Sequence, residues 1–74
     1  MIHVKTNSPA FIVSEEIFKQ KDDFTFDQIK ELVKDRIIKD FNSEKEMDNY
    51  INFKLDQMCE MGIIGRTMLF YFPV

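Results

Sequence analysis

The sequence predicts an α+β domain in which three helices are followed by a C-terminal β-hairpin. Two of the helices announce themselves by their starts. Thr25 with Gln28, and Ser43 with Glu46, have the spacing of a capping box, in which a hydroxyl and a side chain three residues on satisfy the open donors of a first helical turn. An apolar stripe at helical spacing follows each start. After Gly62 the pattern changes, and a β-prone run from Met68 to Phe72 ends at Pro73.

Taken in chain order, Ile2 and Val4 alternate with His3 and Lys5, which fits a short N-terminal strand with one buried face. Asn7, Ser8 and Pro9 then form a helix start, because Ser can cap and Pro is pre-set for the first helical position. The first helix is expected over Pro9–Gln20, with Ala10, Val13, Ile17 and Phe18 inward and Ile12 outward. A competing reading makes Ala10–Val13 a strand and begins a short helix at Ser14.

The second helix should be stapled by Phe24 and Ile29 on either side of its Thr25 cap. Its stripe is Phe26, Ile29, Val33 and Ile37, flanked by Leu32 and Phe41, with Lys30, Lys34 and Lys39 toward the polar side. The third helix opens at Ser43 and carries the stripe Met47, Tyr50, Ile51, Leu55 and Met58. Gly62 should end it in the left-handed conformation, with Ile63 folding back on the last turn. In the hairpin, Met68, Phe70 and Phe72 are expected on one face of the last strand and Leu69 and Tyr71 on the other. A strand apolar on both faces is either sandwiched or offers a face to a partner.

A chain of 74 residues makes a single domain, residues 1–74, close to the size below which a core needs staples. With 45% hydrophobic residues, eight Phe and only two Gly, the chain reads as ordered, and its aromatics must supply much of the core. One cysteine, Cys59, can neither close an internal disulfide nor complete a zinc site. No signal peptide or twenty-residue apolar run is visible, so the expectation is a cytoplasmic protein with no membrane association. Richness in Lys, Ile, Asn, Asp and Phe fits an AT-rich coding sequence, as in low-GC bacteria and their phages.

The order helix, helix, helix, hairpin, with Met61–Gly62–Ile63–Ile64–Gly65–Arg66 followed by Phe70–Tyr71–Phe72–Pro73, resembles the winged-helix superfamily over roughly Pro9–Val74. The resemblance implies that Ser43–Met61 corresponds to the recognition helix and Gly65–Met68 to the wing tip. In DNA-binding members those elements enter the groove and contact the backbone. This chain departs from them in charge: its third helix carries Glu44, Glu46, Asp48, Asp56 and Glu60 against Lys45 and Lys54, a balance that repels phosphates.

The functional expectation follows from what faces outward. On the third helix Phe53 projects opposite the apolar stripe, surrounded by Glu46, Asn49, Asp56, Gln57 and Glu60. With Ile12, Ile38, Leu69 and Tyr71 also directed away from the expected core, the chain reads as a non-enzymatic interaction module. The expected partner surface is Phe53, Asn49, Asp56, Glu60, Leu69 and Tyr71, engaging a protein or a second copy as a homodimer, in the service of a small regulator. The alternative is a DNA-binding transcriptional regulator. It would use Lys30, Lys34, Lys39, Lys45 and Arg66 on phosphates, with Lys5 at the N-terminus, and Asn49 and Asn52 at base edges. The net charge of −3 and the acidic third helix disfavour it.

No catalytic residues are expected. His3 is the single histidine and sits near a terminus, and nothing basic adjoins Cys59 to activate its thiol. Asp22, Asp23 and Asp27 lack calcium-loop spacing, and no metal or other cofactor is implied.

Overall fold

The computed structural model describes residues 8–74. The strand expected at Ile2–Val4, and with it His3 and Lys5, lies outside the described residues. Three helices, α1 (Pro9–Phe18), α2 (Phe26–Ile37) and α3 (Glu44–Glu60), precede two antiparallel strands, β1 (Ile64–Arg66) and β2 (Tyr71–Pro73). A 3₁₀ turn, Ile38–Asp40, tightens the exit from α2.

Each helix begins where a side chain satisfies an open amide. The Ser8 hydroxyl accepts from the Phe11 amide, and Pro9 follows as first residue. Thr25 and Gln28 complete a reciprocal capping box: the Thr25 hydroxyl accepts from the Gln28 amide at 3.2 Å, and the Gln28 side chain accepts from the Thr25 amide at 2.8 Å. Ser43 makes half a box. Its hydroxyl accepts from the Glu46 amide, while the Glu46 carboxylate turns to the Asn42 side chain.

Gly62 ends α3 with φ +75°. The Ile63 amide donates to the Met58 carbonyl and the Gly62 amide to the Cys59 carbonyl, the paired bonds of a Schellman closure. Glycine is required there by backbone conformation alone, since nothing lies within 4 Å of an added Cβ. Gly65 is required for the opposite reason: a Cβ there would run into the ring of Phe72, which lies across it in the paired strand.

The core joins all three helices and β1: Ile12, Val13 and Ile17 of α1, Ile29, Val33 and Ile37 of α2, Met47, Ile51, Leu55 and Met58 of α3, with Phe24 and Ile64. Phe24 couples helices to hairpin. Its amide donates to the Tyr71 carbonyl at 2.9 Å, and its carbonyl accepts from the Tyr71 amide at 2.7 Å. The two rings stack, with centroids 5.7 Å apart.

Several expectations are corrected. The inward face of α1 is Ile12, Val13, Glu16 and Ile17, while Ala10 and Phe18 are exposed, a rotation of roughly a quarter turn about the helix axis. The cause is Glu16, only 8% exposed, whose Oε2 lies 2.9 Å from Arg36 of α2 and 3.5 Å from Lys19. A carboxylate neutralised by a partner can face the core side, and Ile12 goes in with it. Ala10–Val13 is helical, and α1 stops two residues before Gln20. Ile38 also packs against the core.

The last strand is shorter and later than the β-prone run implies. Met68 and Leu69 form the loop tip, and Pro73 pairs with Ile64 inside the ladder. The tip is therefore Thr67–Phe70 rather than Gly65–Met68. No non-glycine residue among those described has positive φ, so this is not a primed hairpin turn. Thr67 holds it instead: its hydroxyl accepts from the Leu69 and Phe70 amides, and its amide donates to the Phe70 carbonyl.

Two outcomes are expected. Gly62→Ala should destabilise the domain by about 1–2 kcal/mol in urea unfolding, through the left-handed backbone alone. Thr67→Val should leave global stability nearly unchanged yet accelerate amide exchange at Leu69 and Phe70.

Candidate interaction surface

The outward face of α3 is built by register. Met47, Ile51, Leu55 and Met58 turn into the core, which leaves Glu46, Asn49, Phe53, Asp56 and Glu60 exposed on the other side. Phe53 is 58% exposed. It is not isolated: its ring lies 6.5 Å from that of Tyr50, which lies 5.3 Å from that of Phe41. The row descends from solvent toward the core, where Phe41 and Tyr50 are half-buried. Burial pushes the Tyr50 hydroxyl above its ordinary pKa. Sequence reasoning placed Tyr50 in the core stripe and Phe41 beside α2, and so missed that they continue from Phe53. The signal was present in the i, i+3 spacing of Tyr50 and Phe53.

The flanks of α3 are braced by charge. On the α2 side, Lys34 approaches Glu44 at 2.6 Å, and Lys30 lies 3.7 Å from Glu44. The Lys30 ammonium is also 3.1 Å from each Asp48 oxygen, donating to Oδ2; the buried Oδ1 shares the charge without a well-directed hydrogen bond. On the hairpin side, Arg66 donates to Asp56 at 2.6 Å, and its guanidinium stands 5.7 Å above the ring of Tyr71. Burial raises the Tyr71 pKa, with Arg66 pulling the other way.

These contacts divide the expected residues into groups. Asn49, Phe53, Asp56 and Glu60 share one exposed helical face, as their spacing implies. Tyr71 does not point outward: it is half-buried, stacked on Phe24 below Arg66, because the hairpin closes on the helices through that residue. Leu69 is 82% exposed at the loop tip. Of the residues proposed for nucleic acid, Lys30, Lys34 and Arg66 are held by carboxylates of α3, whereas Lys45, Asn49 and Asn52 share one exposed stripe of α3 and Lys39 stands exposed on the 3₁₀ turn. Phe18, Leu32, Met61 and Met68 are also exposed apolar residues, although the sequence pattern places Phe18 inward, Leu32 beside the α2 stripe and Met68 on one face of the last strand. A shallow open groove runs beside Leu32, between Gln20 and Glu31.

Among the described residues, no three His, Cys, Asp or Glu side chains gather to hold a metal ion, and no helix is long and apolar enough to cross a membrane. Cys59 is half-buried against the core, with a free thiol. Compared with known protein families, curated proteins and solved structures, the chain matches none.

The α2–α3 brace carries a pH signature. The hydrogen bond from Lys34, helped by the charge of Lys30, holds the Glu44 carboxyl below its ordinary range. Its contribution to stability is therefore complete above that range and is lost as pH falls through the lowered value. Lys34 is raised by the same bond, so its share is complete below the ordinary lysine range and is lost as pH rises through the raised value. Carbon-detected NMR titration should show the Glu44 midpoint moving back up in Lys34→Met.

Proposed function

We propose that the protein is a non-enzymatic interaction module whose contact face is the outward side of α3. The observation that carries this reading is the exposed Phe53, backed by Tyr50 and Phe41 and rimmed by Asn49, Asp56 and Glu60. Fully burying a Phe side chain is worth roughly 1.5–3 kcal/mol, and an aromatic anchor ringed by polar groups is a common arrangement at protein interfaces. The rings of Tyr50 and Phe41 back Phe53 on one side, which restricts its rotamers before a partner docks. Leu69 at the hairpin tip is a second apolar contact point on the same reading. Tyr71 supports Arg66 from below.

The element order supports a winged-helix-like arrangement, and a small cytoplasmic regulator, bacterial or phage, is the setting that accords with the composition and the free Cys59 thiol. Binding to duplex DNA is the weaker reading. Lys30, Lys34 and Arg66, three of the cations it needs, already neutralise acids of α3, and exposing them to phosphate would leave those acids without partners.

The test is a selection of binders from a random peptide library, with sites mapped by amide chemical shifts. Binders should perturb Asn49, Phe53 and Glu60 and be lost in Phe53→Asp, which should remain folded with its unfolding free energy lowered by about 1 kcal/mol through the lost packing on Tyr50 and the poorer helix propensity of Asp. Binders that map only elsewhere, or unfolding of the variant, would remove the reading. Fluorescence anisotropy with labelled duplex at low salt should show no binding; tight binding that weakens steeply with salt and with Arg66→Ala would restore the DNA alternative.

A further inference from the structure

The α3 face has a charge symmetry that decides between the two kinds of protein partner. Glu46 lies seven residues before Phe53 and Glu60 seven residues after it, and all three are exposed on one side of the helix. Two heptads span roughly 21 Å along the axis, so the face is a bar with an aromatic centre and a carboxylate at each end. Asn49 and Gln57 stand between, each four residues from Phe53. Lys45 and Lys54 project to the flanks, roughly 80–100° away from Phe53, where Lys54 donates to Gln57. Asp56, the third acid of the face, is neutralised by Arg66.

A second copy docking here through an antiparallel two-fold centred on Phe53 would set every residue against the one equally far on the other side. Glu46 would meet the second copy's Glu60, and by symmetry the pair would occur twice. At the shallow crossing angles of helix pairs, those carboxylates approach well within the Debye length of about 8–10 Å, so the repulsion is felt at physiological salt. Asn49 would face Gln57, a contact that brings no opposing charge. The face is therefore built against its own copy.

Resting on the interaction-module reading, we propose that the occupant of the α3 face is a cationic amphipathic helix of another protein, carrying an apolar residue against Phe53 and Tyr50 and a Lys or Arg about two turns to either side of it. Such a segment answers each feature at once: apolar centre to aromatic centre, base to Glu46, base to Glu60. Helical docking of this type reads anchors at heptad spacing, and the end charges select partner and orientation rather than supply most of the affinity.

The experiment uses three synthetic helical peptides that share one central Leu and flanking Ala and differ only at the positions seven residues before and after it: Lys at both, Gln at both, or Glu at both. Each is titrated into the full chain and followed by amide shifts at low salt and at 0.5 M salt, with sedimentation of the protein alone in parallel. The expected result is a monomer that binds the Lys peptide at least tenfold more tightly than the Glu peptide, with the Gln peptide between. Shifts should centre on Asn49, Phe53 and Glu60, and the ranking should compress in high salt. Glu46→Lys with Glu60→Lys should reverse the order in a protein that stays folded, with a modestly lowered unfolding midpoint because Glu46 leaves the first turn of α3 and the Asn42 side chain. Equal binding of all three peptides on this face would overturn the cationic partner and leave the interaction module standing, as would self-association of wild type that is lost in Phe53→Asp. A monomer that binds none of the three on α3 would remove both.

Discussion

The fold depends on Phe24 more than on any other residue. It stands between α1 and α2, 1% exposed, and does three things at once. Its side chain enters the cluster that includes Ile29, on the far side of the Thr25 cap. Its backbone gives both of its polar groups to Tyr71, so that neither amide nor carbonyl is buried unpaired. Its ring carries the Tyr71 ring, which in turn carries Arg66. A two-stranded ribbon of three-residue strands is marginal alone; it holds its place because it is pinned to the helices through this residue and through Ile64.

That pin has electrostatic consequences at a distance. With β2 held against Phe24, Arg66 is positioned to reach Asp56, and one flank of α3 is tied to the hairpin. The other flank is tied to α2 by Lys30 and Lys34. Three cations, Lys30, Lys34 and Arg66, are thus spent on internal bracing of α3. What remains along the exposed side of that helix is the aromatic centre at Phe53 and the carboxylates of Glu46 and Glu60 at its ends.

The parts of this structure readable from the sequence are those set by chemistry between near neighbours. Thr25 with Gln28, Ser43, and Gly62 mark helix ends because a hydroxyl, an amide or a left-handed glycine acts over three to five residues. The inward stripe of α3 and the exposure of Phe53 follow from helical register once Ser43 sets its origin. The parts that were not readable require a partner far along the chain. Glu16 belongs inside only because Arg36 arrives there from α2, and helical spacing alone turned α1 the wrong way. Tyr71 turns inward only because Phe24 is there to bond it. The hairpin loop carries no glycine, and its Thr67 network is a use of a hydroxyl that strand propensity does not encode. Within the candidate face, Phe53 was legible as an exposed aromatic, whereas its continuity with Phe41 depends on how α2 and α3 meet.

The difference between local and distant chemistry also sets an order of assembly. Ser43 and Gly62 close α3 at both ends with bonds that span only a few residues, and Thr25 does the same for the start of α2, so these helices need little chain closure to begin forming. The Phe24–Tyr71 pair closes a loop of roughly fifty residues, an entropic cost of about 3–4 kcal/mol that is recovered only when the helices between them are already packed. A closure of that length favours docking of the hairpin after the helices. When the hairpin leaves, Phe24 loses its cover and Asp56 its partner together, while Phe53, seated on a helix that closes its own ends, keeps its place through that fluctuation.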